Sequence, residues 1–101
     1  MIKHVILWTL KNEYSDEEKG KIKLAIKENL EALSGKIPGL IDIKVNTNKL
    51  STSNVDLMLD STFVDESALK AYSIHPAHVY VADTFVRPYT SARSCLDYIA
   101  D

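Results

Sequence analysis

Cysteine is nearly missing from this chain. Cys95 stands alone among 101 residues, so no internal disulfide can form and no zinc site can be built from paired thiolates. Glycine and proline are scarce, three of each, which excludes collagen-like and low-complexity chains and leaves no glycine-rich loop to cradle a phosphate. An excess of one charge is absent too. Twelve Lys and Arg stand against 14 Asp and Glu, a net −2, whereas a general nucleic-acid binder carries a basic surplus. No apolar run exceeds four residues, as in Val5-Ile6-Leu7-Trp8, far short of the roughly 20 that a membrane helix needs. Met1-Ile2-Lys3-His4 enters an alternating apolar segment directly, without the zones of a secretory signal. The expected location is therefore cytoplasmic, with no membrane and no nucleic acid among the partners. What is present is ordinary globular usage, 46% hydrophobic and 26% charged, enough for one domain spanning 1–101.

Ile2 to Lys11 is rich in Val, Ile, Leu and Trp without Gly or Pro, and reads as a strand. Ser15-Asp16-Glu17-Glu18 opens a helix as a capping box, continued by Ile22, Ile26, Leu30, Leu33 and Ile37 at helical spacing, with Gly35 as its natural stop. Pro38-Gly39 makes a turn. Leu40 to Val45 and Val55 to Phe63 alternate apolar and polar residues as two more strands, with a polar loop from Asn46 to Asn54 between them. Asp65 is placed to cap a short helix carrying Leu69 and Tyr72. His75-Pro76 interrupts that helix, because a residue before proline leaves the helical region. Pro76 suits the first turn of another short helix running to about Val86, and Ala92 to Ile99 reads as a last strand. The order is βαββαβ with a broken second helix. It predicts an α+β, ferredoxin-like fold: an antiparallel four-stranded sheet with helices on one face.

An antiparallel sheet covered on one face usually shows water a polar second face. Here the second face offers Val5, Leu7 and Met58 near its middle and Lys3, Lys11, Asp56 and Asp60 toward its ends. An apolar centre ringed by charge has the composition of an interface. The expected partner is a second copy of the chain, sheet against sheet.

Chemistry is expected around the helix break. Tyr72-Ser73-Ile74-His75-Pro76-Ala77-His78 places a phenol and two imidazoles where backbone groups are free and a pocket can open. His78 falls in the first turn of the new helix, whose positive end disfavours the imidazolium and leaves a neutral base. His4 shares its strand face with Ile6 and Trp8 and turns toward the helices, either as a hydrogen-bonded core histidine or as a pocket group. His75 and His78 form H-x-x-H, a weak metal pair because Pro76 breaks the helix that would align them. Cys95 reads as a small buried hydrophobe, and Asp97 either pairs with Arg93 or orients a histidine. No metal and no cofactor are expected. Aromatic stacking residues for RNA are missing from the third strand, and a Cys-x-x-Cys pair is absent.

The string Ala71-Tyr72-Ser73-Ile74-His75-Pro76-Ala77-His78-Val79 carries a resemblance. Together with Ile2-Lys3-His4-Val5, Phe63-Val64-Asp65, Val86-Arg87-Pro88 and Cys95-Leu96-Asp97-Tyr98, it resembles the stress-responsive A/B barrel (Dabb) family over nearly the whole chain. The resemblance implies a dimer whose two sheets meet as a barrel. Most of that family has no defined reaction, while some plant members are cofactor-free polyketide cyclases that catalyse an intramolecular aldol condensation. Carried over, it implies His78 as base with Tyr72 and His4 in support. Trp8, Ile26, His75 and Phe85 are the expected lining of a pocket between sheet and helices. Three readings follow: a binder of a small apolar or aromatic molecule, a cofactor-free acid–base enzyme (cyclase or isomerase), or a non-catalytic structural or stress-protective oligomer. A pocket touching both His4 and His78 separates the first two from the third.

Overall fold

A computed structural model describes residues 1–100. Its elements are β1 (Ile2–Leu10), α1 (Asp16–Glu31), β2 (Leu40–Asn46), β3 (Leu57–Phe63), α2 (Glu66–Ile74), α3 (Pro76–Val81) and β4 (Thr90–Ile99). Between α3 and β4 the chain makes a π-helical turn, Ala82–Val86, and a 3₁₀ turn, Arg87–Tyr89. The sheet order is β2-β3-β1-β4 and every pairing is antiparallel. This is the expected ferredoxin-like arrangement. No helix among the described residues is long and apolar enough to cross a membrane.

The local signals act as anticipated at most ends. Ser15 Oγ accepts from the Glu18 N–H while the Glu18 carboxylate accepts from the Ser15 N–H, and Asp65 Oδ1 accepts from the Ala68 N–H at 2.8 Å. The first helix ends at Glu31, short of Gly35, and Leu33 and Ile37 reach the core from the turns that follow. Gly39 has φ 82°, and a Cβ there would lie 2.5 Å from the Cβ of Ala68. The turn into β2 therefore needs a glycine for both its backbone and its close contact with α2.

The core lies between sheet and helices, where Ile6, Trp8, Leu10, Leu57, Leu59 and Phe63 meet Ile26, Leu30 and Tyr72. Along β1 burial alternates strictly, so His4, Ile6, Trp8 and Leu10 point inward. Lys3, Val5 and Leu7 face the other way and remain half-buried. On that open face the Lys3 ammonium sits 2.6 Å from the Asp60 carboxylate and donates to Thr62 Oγ1 at 2.9 Å.

Both sheet edges behave differently. At the β2 edge, Glu31 Oε2 accepts from the Val45 N–H at 2.9 Å and Lys27 Nζ donates to the Val45 carbonyl at 2.8 Å. At Val45 the edge groups that would invite another strand are thus occupied by α1. β4 is uncovered on both faces, with every residue from Ser91 to Ile99 exposed. Cys95 is therefore exposed, which corrects the expectation of a buried hydrophobe. The helices lie over β1, β2 and β3 and leave β4 bare.

Candidate functional site

Register brings the first part of the site together. His4 on β1 is the cross-strand partner of Asp97 on β4, and Ile6 is the partner of Cys95. Successive inward positions of β4 thus present Cys95 and Asp97 beside the one histidine of β1. His4 Nδ1–H donates to the Asp97 carboxylate, which fixes the ring. Asp97 takes the role of orienting a histidine, and Arg93 has no carboxylate within ion-pair distance among the described residues.

The helix break supplies the second part. His75 ends α2 and caps α3, with its Nδ1 accepting from the Ala77 N–H at 3.1 Å. That capping bond also ties up one nitrogen of the H-x-x-H pair. Three residues on, His78 turns inward and its ring lies on that of Tyr72, with centroids 4.1 Å apart and planes 31° from parallel. Nδ1–H of His78 donates weakly to the Ser73 carbonyl at 3.4 Å, leaving Nε2 as the free lone pair. Tyr72 completes the group, its ring centroid 6.0 Å from that of His4 and 5.0 Å from that of Phe63.

His4, Tyr72 and His78 line one cavity of about 170 Å³ between sheet and helices. Ile6, Trp8, Leu30, Leu59 and Leu69 supply its apolar wall, and Arg87 and Arg93 also border it. Val86 and Ala82, from the π-helical turn, close one side. A larger cleft of about 580 Å³ adjoins, between α2 and β4, and shares His4, Leu69, Ser73 and Arg93 with the inner cavity. His4 is therefore a wall common to both spaces.

Three of the expected lining residues lie elsewhere. Ile26 is fully buried in the packing of α1 and does not border the cavity. His75 is turned to its capping bond, and Phe85 packs edge-on to Tyr80 and against the core without bordering the cavity. The extra residue in that turn's spacing re-aims Phe85, which a regular helix would have directed along the face of His78. Trp8 does line the cavity.

The Tyr72 hydroxyl is buried and no protein group bonds to it. Burial holds its pKa far above the ordinary phenol value, so the group is a neutral donor. Burial is also the first reason that the His78 pKa lies below its usual value. The Ser73 carbonyl opposes the shift, and the charges of Arg87, His4 and Arg93 reinforce it. Burial thus favours the neutral imidazole. The arrangement offers a neutral base, a phenol donor and a carboxylate-oriented histidine around one space lined by apolar and polar side chains alike. Those are the parts needed to bind a carbonyl or hydroxyl oxygen and to move a proton beside it.

Residues 2–100 match the family described as the stress-responsive A/B barrel domain. Among solved structures, a dimeric ferredoxin-like protein of unknown function from Bacteroides fragilis is similar, with 31% identity, a TM-score of 0.89 and coverage of 96% of this chain and 93% of that one. A Dabb-family protein from Mesorhizobium loti matches with 22% identity and a TM-score of 0.75, covering 98% and 95% of the two chains. A hydroxynitrile lyase from Passiflora edulis shares the fold at 18% identity and a TM-score of 0.74, covering 99% and 93%. No curated protein matches.

Proposed function

The chain belongs to the stress-responsive A/B barrel (Dabb) family, and we propose that it is a homodimer that binds a small apolar or aromatic molecule carrying one hydrogen-bonding oxygen. The observation that carries this reading is the buried, unpartnered hydroxyl of Tyr72, a residue that borders a cavity lined by apolar and polar side chains alike. A buried polar group without a partner costs about 1–3 kcal/mol, and an oxygen-bearing ligand recovers that cost. Size supports a single ring, since a cavity of about 150 Å³ admits benzene and this one measures about 170 Å³. The dimer is supported by the half-buried Val5, Leu7 and Met58 on the open sheet face and by the dimeric state of the Bacteroides fragilis protein.

The test uses probes that differ by one oxygen. Benzaldehyde and p-cresol are expected to shift the amide resonances of His4, Tyr72 and His78 in a saturable way, and toluene to bind more weakly. Equal binding of all three, or shifts confined to other residues, contradicts the reading.

A second reading adds chemistry at the same site, and the His4–Asp97 pair beside a neutral His78 favours it. In this reading the protein is a cofactor-free acid–base enzyme, a cyclase or isomerase. His78 Nε2 removes a proton from the carbon next to a carbonyl, while Tyr72 and His4 bind the oxygen on which charge develops. Acetophenone in deuterated water reports the step directly, because proton abstraction exchanges its methyl hydrogens for deuterium. Exchange above the buffer rate, reduced roughly 10²- to 10⁴-fold in His78→Ala, supports catalysis. Unchanged exchange in that variant rejects His78 as base.

A further inference from the structure

We propose that His4, Cys95 and Asp97 form a binding site for one zinc ion per chain, open on the side of the larger cleft. Their ligand atoms lie within 4.8 Å of one another. Cys95 Sγ is 3.9 Å from His4 Nδ1 and 3.4 Å from Asp97 Oδ1. Tetrahedral zinc with bonds of about 2.0 Å to nitrogen or oxygen and about 2.3 Å to sulfur places a sulfur roughly 3.5 Å from each neighbouring ligand. Both sulfur distances are within a few tenths of an ångström of that value. Only the His4–Asp97 contact is too short for it, because a shared proton now joins the two atoms. An ion entering there takes the place of that proton and spreads the pair.

The donor set fits the ion. One thiolate, one imidazole and one carboxylate suit zinc better than the hard, oxygen-seeking cations. Three protein ligands leave a fourth position, the pattern of a zinc that carries water or a small ligand. All three residues line the cleft of about 580 Å³, which gives the ion an entry path and the fourth position room. Glu66 and Lys70 lie in the same cleft, and the Arg93 charge acts on the thiol. Proton balance is simple. The Cys95 thiol loses its proton to solvent, the proton between His4 and Asp97 gives way so that the neutral imidazole binds through Nδ1 with its hydrogen on Nε2, and Asp97 binds as a carboxylate. The site does not depend on a ligand in the inner cavity, and it is invisible to linear spacing because β1 and β4 stand at opposite ends of the chain.

Cobalt(II) is the probe, titrated into the full chain under a non-thiol reductant. We expect a thiolate-to-cobalt charge-transfer band in the near ultraviolet that saturates at one ion per chain and is bleached by zinc. Cys95→Ser should abolish the band. Asp97→Asn should weaken zinc binding by more than the roughly 10- to 100-fold that changes outside the ligand shell cost. Both residues are exposed, and circular dichroism checks that the variants fold. Absence of the band in the wild-type chain overturns the proposal, as does zinc binding that Cys95→Ser leaves unchanged.

Discussion

Replacing Tyr72 by Phe removes one oxygen atom and separates two roles that a buried tyrosine can have. If the hydroxyl served folding, its loss would break a hydrogen bond and destabilise the chain by about 0.5–1.5 kcal/mol. Here the ring carries the packing, against Phe63 at 5.0 Å and His78 at 4.1 Å, and the hydroxyl has no protein partner. Phe keeps those ring contacts and removes the desolvated oxygen. The variant should therefore be as stable as wild type or more stable, by up to about 1 kcal/mol, which for a domain of this length raises Tm by roughly 4–8 °C. Binding of p-cresol should fall at the same time. Urea unfolding at fixed protomer concentration measures the first quantity, and concentration must be held because a dimer's stability depends on it. A loss of 1 kcal/mol or more in the ligand-free variant would refute the reasoning, since the hydroxyl would then have a structural role.

In the proposed dimer, Leu7→Asp places a charge at the centre of the sheet face that meets the partner. Light scattering should show a monomer or unfolded protein, and wild-type protein that is itself monomeric at micromolar concentration would reject the dimer. His78 has a folded-state pKa below its ordinary value of 6.5, so the unfolded chain binds more protons just below that pH. Its contribution to stability is present above pH 6.5 and lost as pH falls toward the folded value; in His78→Gln the decline of stability over this range should flatten. For Glu31, burial pushes the pKa up, but bonds from Lys27 and the Val45 N–H outweigh it and the net shift is downward. Glu31→Gln should cost about 1–2 kcal/mol at pH 7, and the gap from wild type should close as pH falls below 4.5, the group's ordinary value. A gap that stays constant with pH contradicts the charge-assisted bonds.

Period and punctuation made the fold readable in the sequence. Alternation in β1 and β3, the Ser15–Glu18 box and the His75-Pro76 break each reported a local preference that the packing agrees with. His4, Trp8, Tyr72 and His78 were legible for the same reason, since strand parity and a helix break place side chains without knowledge of distant contacts. What escaped depended on position in the sheet. Cys95 has the composition of a core residue, but β4 is an edge that the helices leave bare. Phe85 follows a helical period that the π-helical turn breaks. His75 reads as a pocket group from its neighbours, yet a free N–H at the start of α3 takes its nitrogen. The closeness of Cys95 to His4 required a strand register that no spacing rule supplies.

The claim at the centre of the account is that the inner cavity receives an oxygen-bearing small molecule at Tyr72. A crystal structure of the protein soaked with p-cresol or benzaldehyde measures it most directly. The ring of the probe is expected against Trp8, Leu30 and Leu59, with its oxygen within hydrogen-bonding distance of Tyr72 Oη and near His4 or His78. A cavity that stays free of the probe at saturating concentration, or a probe whose oxygen points away from Tyr72, would contradict it.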